Sequence, residues 1–76
     1  MEQTIRAEMV AQVHSVLVEP GHPVTAGDTL MLLESMKMEI PVLAEADGTV
    51  MEVHVAAGDV VYEGDALVTL HGGTSP

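Results

Sequence analysis

The chain has 76 residues, no cysteine, and two basic residues against twelve acidic ones, for a formal net charge of −10. That length allows one small domain, and the missing cysteines exclude a disulfide framework, thiolate catalysis and Cys-ligated metal. The charge excludes nucleic acid and disfavours anionic membrane surfaces, because such binding relies on neutralising phosphates with Lys and Arg.

The opening MEQTIRAEMV lacks a basic region followed by an apolar run, so no signal peptide is read there. No apolar stretch approaches the roughly 20 residues that span a bilayer, and the cytosol is the expected compartment. From there on, short valine-rich runs alternate with Gly-Asp and Pro-Gly signals, and no segment holds a helical period. This is the pattern of many short β-strands.

Sliding the chain by 37 positions superimposes residues 5–33 on residues 42–70 without a gap. Identities fall at Ala7/Ala44, Glu8/Glu45, Val13/Val50, Val16/Val53, Val18/Val55, Gly21/Gly58, Gly27/Gly64, Asp28/Asp65, Leu30/Leu67 and Leu33/Leu70. Ile5/Val42 and Val24/Val61 keep an apolar residue. In each copy, V-x-x-V-x-V comes first, then a glycine, a Gly-Asp pair and an L-x-x-L strand. The x-V-x-V part alternates as a half-buried strand does, while the Val13–Val16 and Val50–Val53 steps break that phase and predict a bulge. The Gly-Asp pairs predict tight turns, since glycine tolerates positive φ and Asp bonds the backbone beyond it. A β unit this short cannot bury its apolar face alone, so the copies are expected to pack against each other about an approximate two-fold axis.

Residues 34–41, ESMKMEIP, link the copies. Leu30–Leu33 before the link and Ile40–Val42 after it predict a tight hairpin with Met36 and Lys37 central, Ser35 opposite Met38, and Glu34 opposite Glu39. Such turns favour Asn-Gly or Gly-Gly, because both central residues take positive φ. Like charges across a strand pair repel. Local preferences that disagree with the fold mark function. Lys37 is the only lysine, and a hairpin tip gives an acylating enzyme access to it. The flanking methionines are poor surface residues but adaptable contact residues; the plainer reading packs one of them over the barrel end.

The second copy repeats the pattern to Leu70, and the HGGTSP tail, residues 71–76, is expected to be mobile. The tip and the chain ends are expected at opposite ends of the domain. His14, His22, His54 and His71 lack ligand spacing, with no metal site beside them, and His14 and His54, on alternating segments, read as surface or edge residues. Tyr62 reads as a packing residue. No catalytic triad or carboxylate pair is legible, and the chain is read as a carrier, not an enzyme.

ESMKMEI between two matching β repeats resembles the biotinyl (biotin carboxyl carrier) domain of the biotin/lipoyl attachment family, over about residues 5–70 within a single domain of residues 1–76. More narrowly, it resembles small stand-alone biotinylated proteins of actinobacteria. The resemblance implies an all-β flattened barrel (a barrel-sandwich hybrid) of two four-stranded sheets with quasi-two-fold symmetry, its lysine on a hairpin turn. It implies covalent biotin on Lys37, and recognition of Met36, Met38, Glu34 and Glu39 by a biotin protein ligase. The implied partners are that ligase, which makes biotinyl-adenylate for Lys37 to attack, a biotin carboxylase and a carboxyltransferase. Ser35 stands where Ala is commoner, Ala7-Glu8 and Ala44-Glu45 stand where Ala-Pro is frequent, and Ala11 replaces a usual Gly. The extra thumb loop of some acetyl-CoA carboxylase carriers has no room here. The rivals are a lipoyl domain, which shares the fold but carries Asp-Lys-Ala at the turn, and an unmodified barrel acting as an adaptor or a biotin store.

Overall fold

The structure, a computed structural model, describes residues 2–72. Their regular structure is entirely β: β1 (Glu2–Arg6), β2 (Ala11–Val16), β3 (Pro23–Val24), β4 (Thr29–Ser35), β5 (Met38–Leu43), β6 (Gly48–Val53), β7 (Val60–Val61) and β8 (Ala66–Gly72). They form two four-stranded antiparallel sheets, β1-β8-β6-β3 and β5-β4-β2-β7. The first holds both terminal strands and is called the terminal sheet; the second is the hairpin sheet. Among the described residues no helix is long and apolar enough to cross a membrane.

The repeat in the sequence is the symmetry of the fold. Adding 37 to the residue numbers carries β1–β4 onto β5–β8, and it turns one sheet's strand order into the other's. The phase breaks are bulges. Register slips between Val13 and Ser15 in β2 and between Val50 and Glu52 in β6, leaving His14 and Met51 as the extra residues. Each slip lets both flanking valines face inward.

The core is drawn from equivalent positions of both copies. Val13 and Val50, Leu30 and Leu67, and Leu33 and Leu70 are all buried, as are Val24, Met31, Val61 and Val68. Val16, Val18, Val53 and Val55 close over it from the side. Tyr62, expected to pack, instead stands 59% exposed. It follows directly on β7, whose inward position is already taken by Val61. The Gly-Asp turns are built as the residue types require. Gly27 and Gly64 take φ of 94° and 92°, and the Asp28 and Asp65 carboxylates accept the Thr25 and Tyr62 N–H groups at 2.8 and 2.9 Å. β8 continues through His71 and Gly72, two residues beyond the expected end of the core. The rest of the expected mobile tail, residues 73–76, lies outside the described residues.

The strand pairing separates the two ends of the molecule. Gly72 pairs with Gly48. Its neighbour Asp47 accepts the Ala26 N–H at 2.9 Å, just before β4 begins at Thr29. The Met36-Lys37 turn follows the far end of β4, which at about 3.3 Å per residue lies about 20 Å away. Lys37 is therefore at the opposite end from Glu2 and Gly72, as the two-fold requires.

One position shows how closely the strands approach at the terminal end. A methyl group on Gly48 would lie 2.7 Å from the His71 carbonyl oxygen, and this is backbone that cannot swing aside. Gly48→Ala is expected to lower stability by about 1–3 kcal/mol, measurable as a lower urea midpoint. The repeat equivalent of Gly48 is Ala11, which does carry that methyl. Correspondingly, the pairing of β2 with β4 extends only to Gln12↔Glu34, whereas β6 with β8 runs on to Gly48↔Gly72. Ser35 is held instead by its hydroxyl, which donates to the Val10 carbonyl at 3.3 Å.

Candidate functional site

The hairpin sheet presents Lys37. β4 and β5 pair from Thr29↔Leu43 to Ser35↔Met38, with Leu33↔Ile40 and Glu34↔Glu39 between, which is the register expected from the sequence. Leu33 and Ile40 anchor the pair in the core. Pro41 is tolerated because β5 is an edge strand, where no further ladder needs its missing N–H. Two residues remain for the turn, and a two-residue connection must match the right-handed strand twist. It does so with both central φ positive, Met36 at 53° and Lys37 at 66°, the sign pattern of a type I′ turn.

Neither residue suits that conformation, since an L side chain in the left-handed region costs about 1–2 kcal/mol. Among the described residues they are the only non-glycine ones with positive φ. Met36→Gly removes the clash at the expense of a more flexible unfolded chain. It is expected to stabilise the domain by about 0.5–1 kcal/mol, which a melting curve would report as a Tm higher by about 2–8 °C. An unchanged or lower Tm would mean that the turn stores no strain.

The side chains at the tip are held away from the core. Met36 is 91% exposed and Met38 63% exposed, so neither packs over the barrel end. Lys37 is exposed, and no carboxylate forms an ion pair with it among the described residues. An exposed amine on a projecting turn, with no ion-pair partner among the described residues, is a group that an enzyme can engulf and acylate. Glu34 and Glu39 face each other two positions below it, both exposed. The His14 Nε2 lies 3.7 Å from the Glu39 Oε2 and is the nearest counter-charge when protonated. The bulge turns His14 toward this side, and the broken valine phase was the signal for it. The other histidines are elsewhere: His22 is exposed in the loop before β3, His71 faces Glu2 and Thr49, and the His54 Nε2 bonds the Thr69 hydroxyl at 2.8 Å.

A family model described as "Biotin-requiring enzyme" matches residues 3–70, which span all eight strands except their outermost residues. The chain belongs to the biotin/lipoyl attachment family. Within this family it is similar to the "Biotinylated protein TB7.3 homolog" of Mycobacterium leprae (strain TN), with 50% identity over 70 residues that cover 92% of this chain and 99% of the relative. Among solved structures, a single-chain, multi-domain long-chain acyl-CoA carboxylase aligns with a TM-score of 0.88 at 34% identity, over 97% of this chain and 7% of that one. The biotin/lipoyl fold is also that of the lipoyl domain of the 2-oxoglutarate dehydrogenase complex from Azotobacter vinelandii, with a TM-score of 0.81 at 30% identity, over 93% and 98% of the two chains.

Proposed function

We propose that residues 1–76 form a single, non-catalytic biotin carrier domain in which Lys37 bears the cofactor through an amide bond. The observation that carries this reading is the geometry of the tip: an exposed amine at φ 66°, bracketed by two exposed methionines. The residues present fit the group, because attachment needs only an accessible amine on a support that does not yield. The Lys37 amine attacks the carboxyl carbon of biotinyl-adenylate, an acyl-phosphate mixed anhydride that the ligase makes and holds. The C–N bond forms, the C–O bond to adenylate breaks, and the amine's proton leaves to solvent. Biotin, once bound, supplies a ureido nitrogen that accepts a carboxyl group.

The chain's own contribution is positional. The β4–β5 hairpin holds the arm clear of the barrel, at the end opposite Glu2 and Gly72. A carrier of this kind serves a biotin carboxylase and a carboxyltransferase by raising local concentration, and the cytosol is where we place it. Met36, Met38, Glu34 and Glu39 surround the amine, and we assign them to recognition by the ligase. Biotin is favoured over lipoate by Met-Lys-Met itself and by the biotinylated mycobacterial relative at 50% identity.

The test is the intact mass of the chain after incubation with a biotin protein ligase, ATP and biotin, followed by peptide mapping. One added biotinyl group on the peptide containing Lys37 is expected. A folded chain that gains no mass would overturn the proposal, and a lipoyl adduct formed in cells would move the protein to the other branch of the family.

A further inference from the structure

The two-fold provides an internal comparison, since every outward position of one sheet has a counterpart on the other. Three terminal-sheet residues form a polar row. Thr4 lies opposite Thr69 with their hydroxyls 3.4 Å apart, and the His54 Nε2 bonds the Thr69 hydroxyl at 2.8 Å. Adding or subtracting 37 converts Thr4, Thr69 and His54 into Pro41, Leu32 and Leu17. The geometry is retained: Leu32 lies opposite Pro41, and the Leu17 N–H bonds the Leu30 carbonyl as the His54 N–H bonds that of Leu67. Arg6 likewise becomes Leu43. The hairpin sheet thus carries an apolar outer row where the terminal sheet carries a polar one. Leu17 is 50% and Leu43 45% exposed, and Pro41 is exposed beside them.

The fold does not require this row, since the same backbone in the same molecule is satisfied by Thr, His and Arg. Two exposed leucines, Leu17 and Leu43, with the half-buried Leu32 between them, need another reason. The row lies on the face that bears Lys37: Leu32↔Pro41 and Glu34↔Glu39 are two residues apart on the same strands, so their side chains share one side of the sheet.

We infer that the outer face of the hairpin sheet is a docking surface for the ligase that acylates Lys37, whose complementary patch has an apolar centre and a Lys/Arg edge over Glu34 and Glu39. The inference rests on the carrier reading. The row extends the tip along the side of the sheet on which Glu34 and Glu39 lie, so a partner that engages Lys37 and these carboxylates meets it. Charge selects the partner. The Glu34 and Glu39 carboxylates call for a basic counterpart, and a second copy has only two basic residues to offer, Arg6 and Lys37.

The second repeat supplies the test substitutions. Leu17→His, Leu32→Thr and Leu43→Arg install in the hairpin sheet the residues that the terminal sheet already uses. The converse variant, His54→Leu with Thr69→Leu, makes the terminal sheet apolar. Each is compared with the parent in biotinylation kinetics with a purified biotin protein ligase, in thermal melts and in sedimentation velocity. The expected result is a KM raised about tenfold or more for the first variant, with kcat unchanged, Lys37 still modified at high carrier concentration, and the converse variant behaving as the parent. An unchanged KM in a folded variant, or an equal rise in the converse variant, overturns the inference. So does a parent dimer that the first variant abolishes. A parent that accepts no biotin at all would instead refute the carrier reading on which the inference rests. If the triple variant melts early, Leu17→His alone carries the same comparison.

Discussion

Lys37→Arg is expected to take up no biotin at all, even after prolonged incubation with excess ligase, because the guanidinium remains protonated and has no nucleophilic lone pair. Arginine keeps the positive charge and much of the reach, so recognition of a cation at the tip survives while the reacting atom is lost. There is no second lysine to substitute for it. The side chain is exposed and packs on nothing in the core, so stability should stay within about 0.5 kcal/mol of the parent. The measurement is the intact mass alongside a thermal melt. Residual biotin on a well-folded Lys37→Arg chain would show that the attachment point has been misplaced.

Leu30→Ala and Leu67→Ala should be the most damaging single truncations, and they should be alike. Leu30 and Leu67 are 0% and 1% exposed and occupy the same place in the two copies. Removing a fully buried leucine side chain costs about 2–5 kcal/mol, transfer and cavity together. A domain of this size has roughly 4–11 kcal/mol in all. Each truncation therefore removes a large part of it and lowers Tm by about 10–30 °C. Urea titration of both variants checks the magnitude. A loss below about 1 kcal/mol at either site would mean that the two halves do not share the core equally.

Much of this architecture was legible because the sequence states it twice. The repeat aligned the strands, the broken valine phase located both bulges, and the short link fixed the hairpin register down to Glu34 opposite Glu39. The Met36-Lys37 turn was legible through its disagreement with turn chemistry, since neither residue is one that a primed turn selects. The partnering of β1 with β8 and of β6 with β3 was not written locally. It follows only from how two copies close around one core, and the family resemblance implied the two four-stranded sheets but not which strands pair. Tyr62 was misjudged because aromatic character says nothing about which side of a two-residue strand a residue falls on. The methionines at 36 and 38 were given one packed member too many, since the turn ends the core before either can reach it. The apolar row of Leu17, Leu32, Pro41 and Leu43 could not be seen in strand patterns alone. Its members come from three strands and meet only once the sheet is assembled, so the contrast with the other sheet appears only in three dimensions.

The pairing of Glu2 with His71 has the same register as that of Glu39 with Glu34. β8 and β1 therefore stand to each other as β4 and β5 do, lacking only a connecting turn between them. The two sheets thus carry two equivalent hairpin stations, one in each, of which Met36-Lys37 closes that of the hairpin sheet. A circular permutant cut between residues 36 and 37 and joined across residues 72 and 2 would keep every strand neighbour while exchanging the roles of the two stations. A Met-Lys-Met connector placed at that junction, matching Met36, Lys37 and Met38 between Ser35 and Glu39, would present a second amine at the far end of the barrel. The one-armed domain is thus a closed loop opened at one of two equivalent points, and which end bears cargo depends on where the chain is broken.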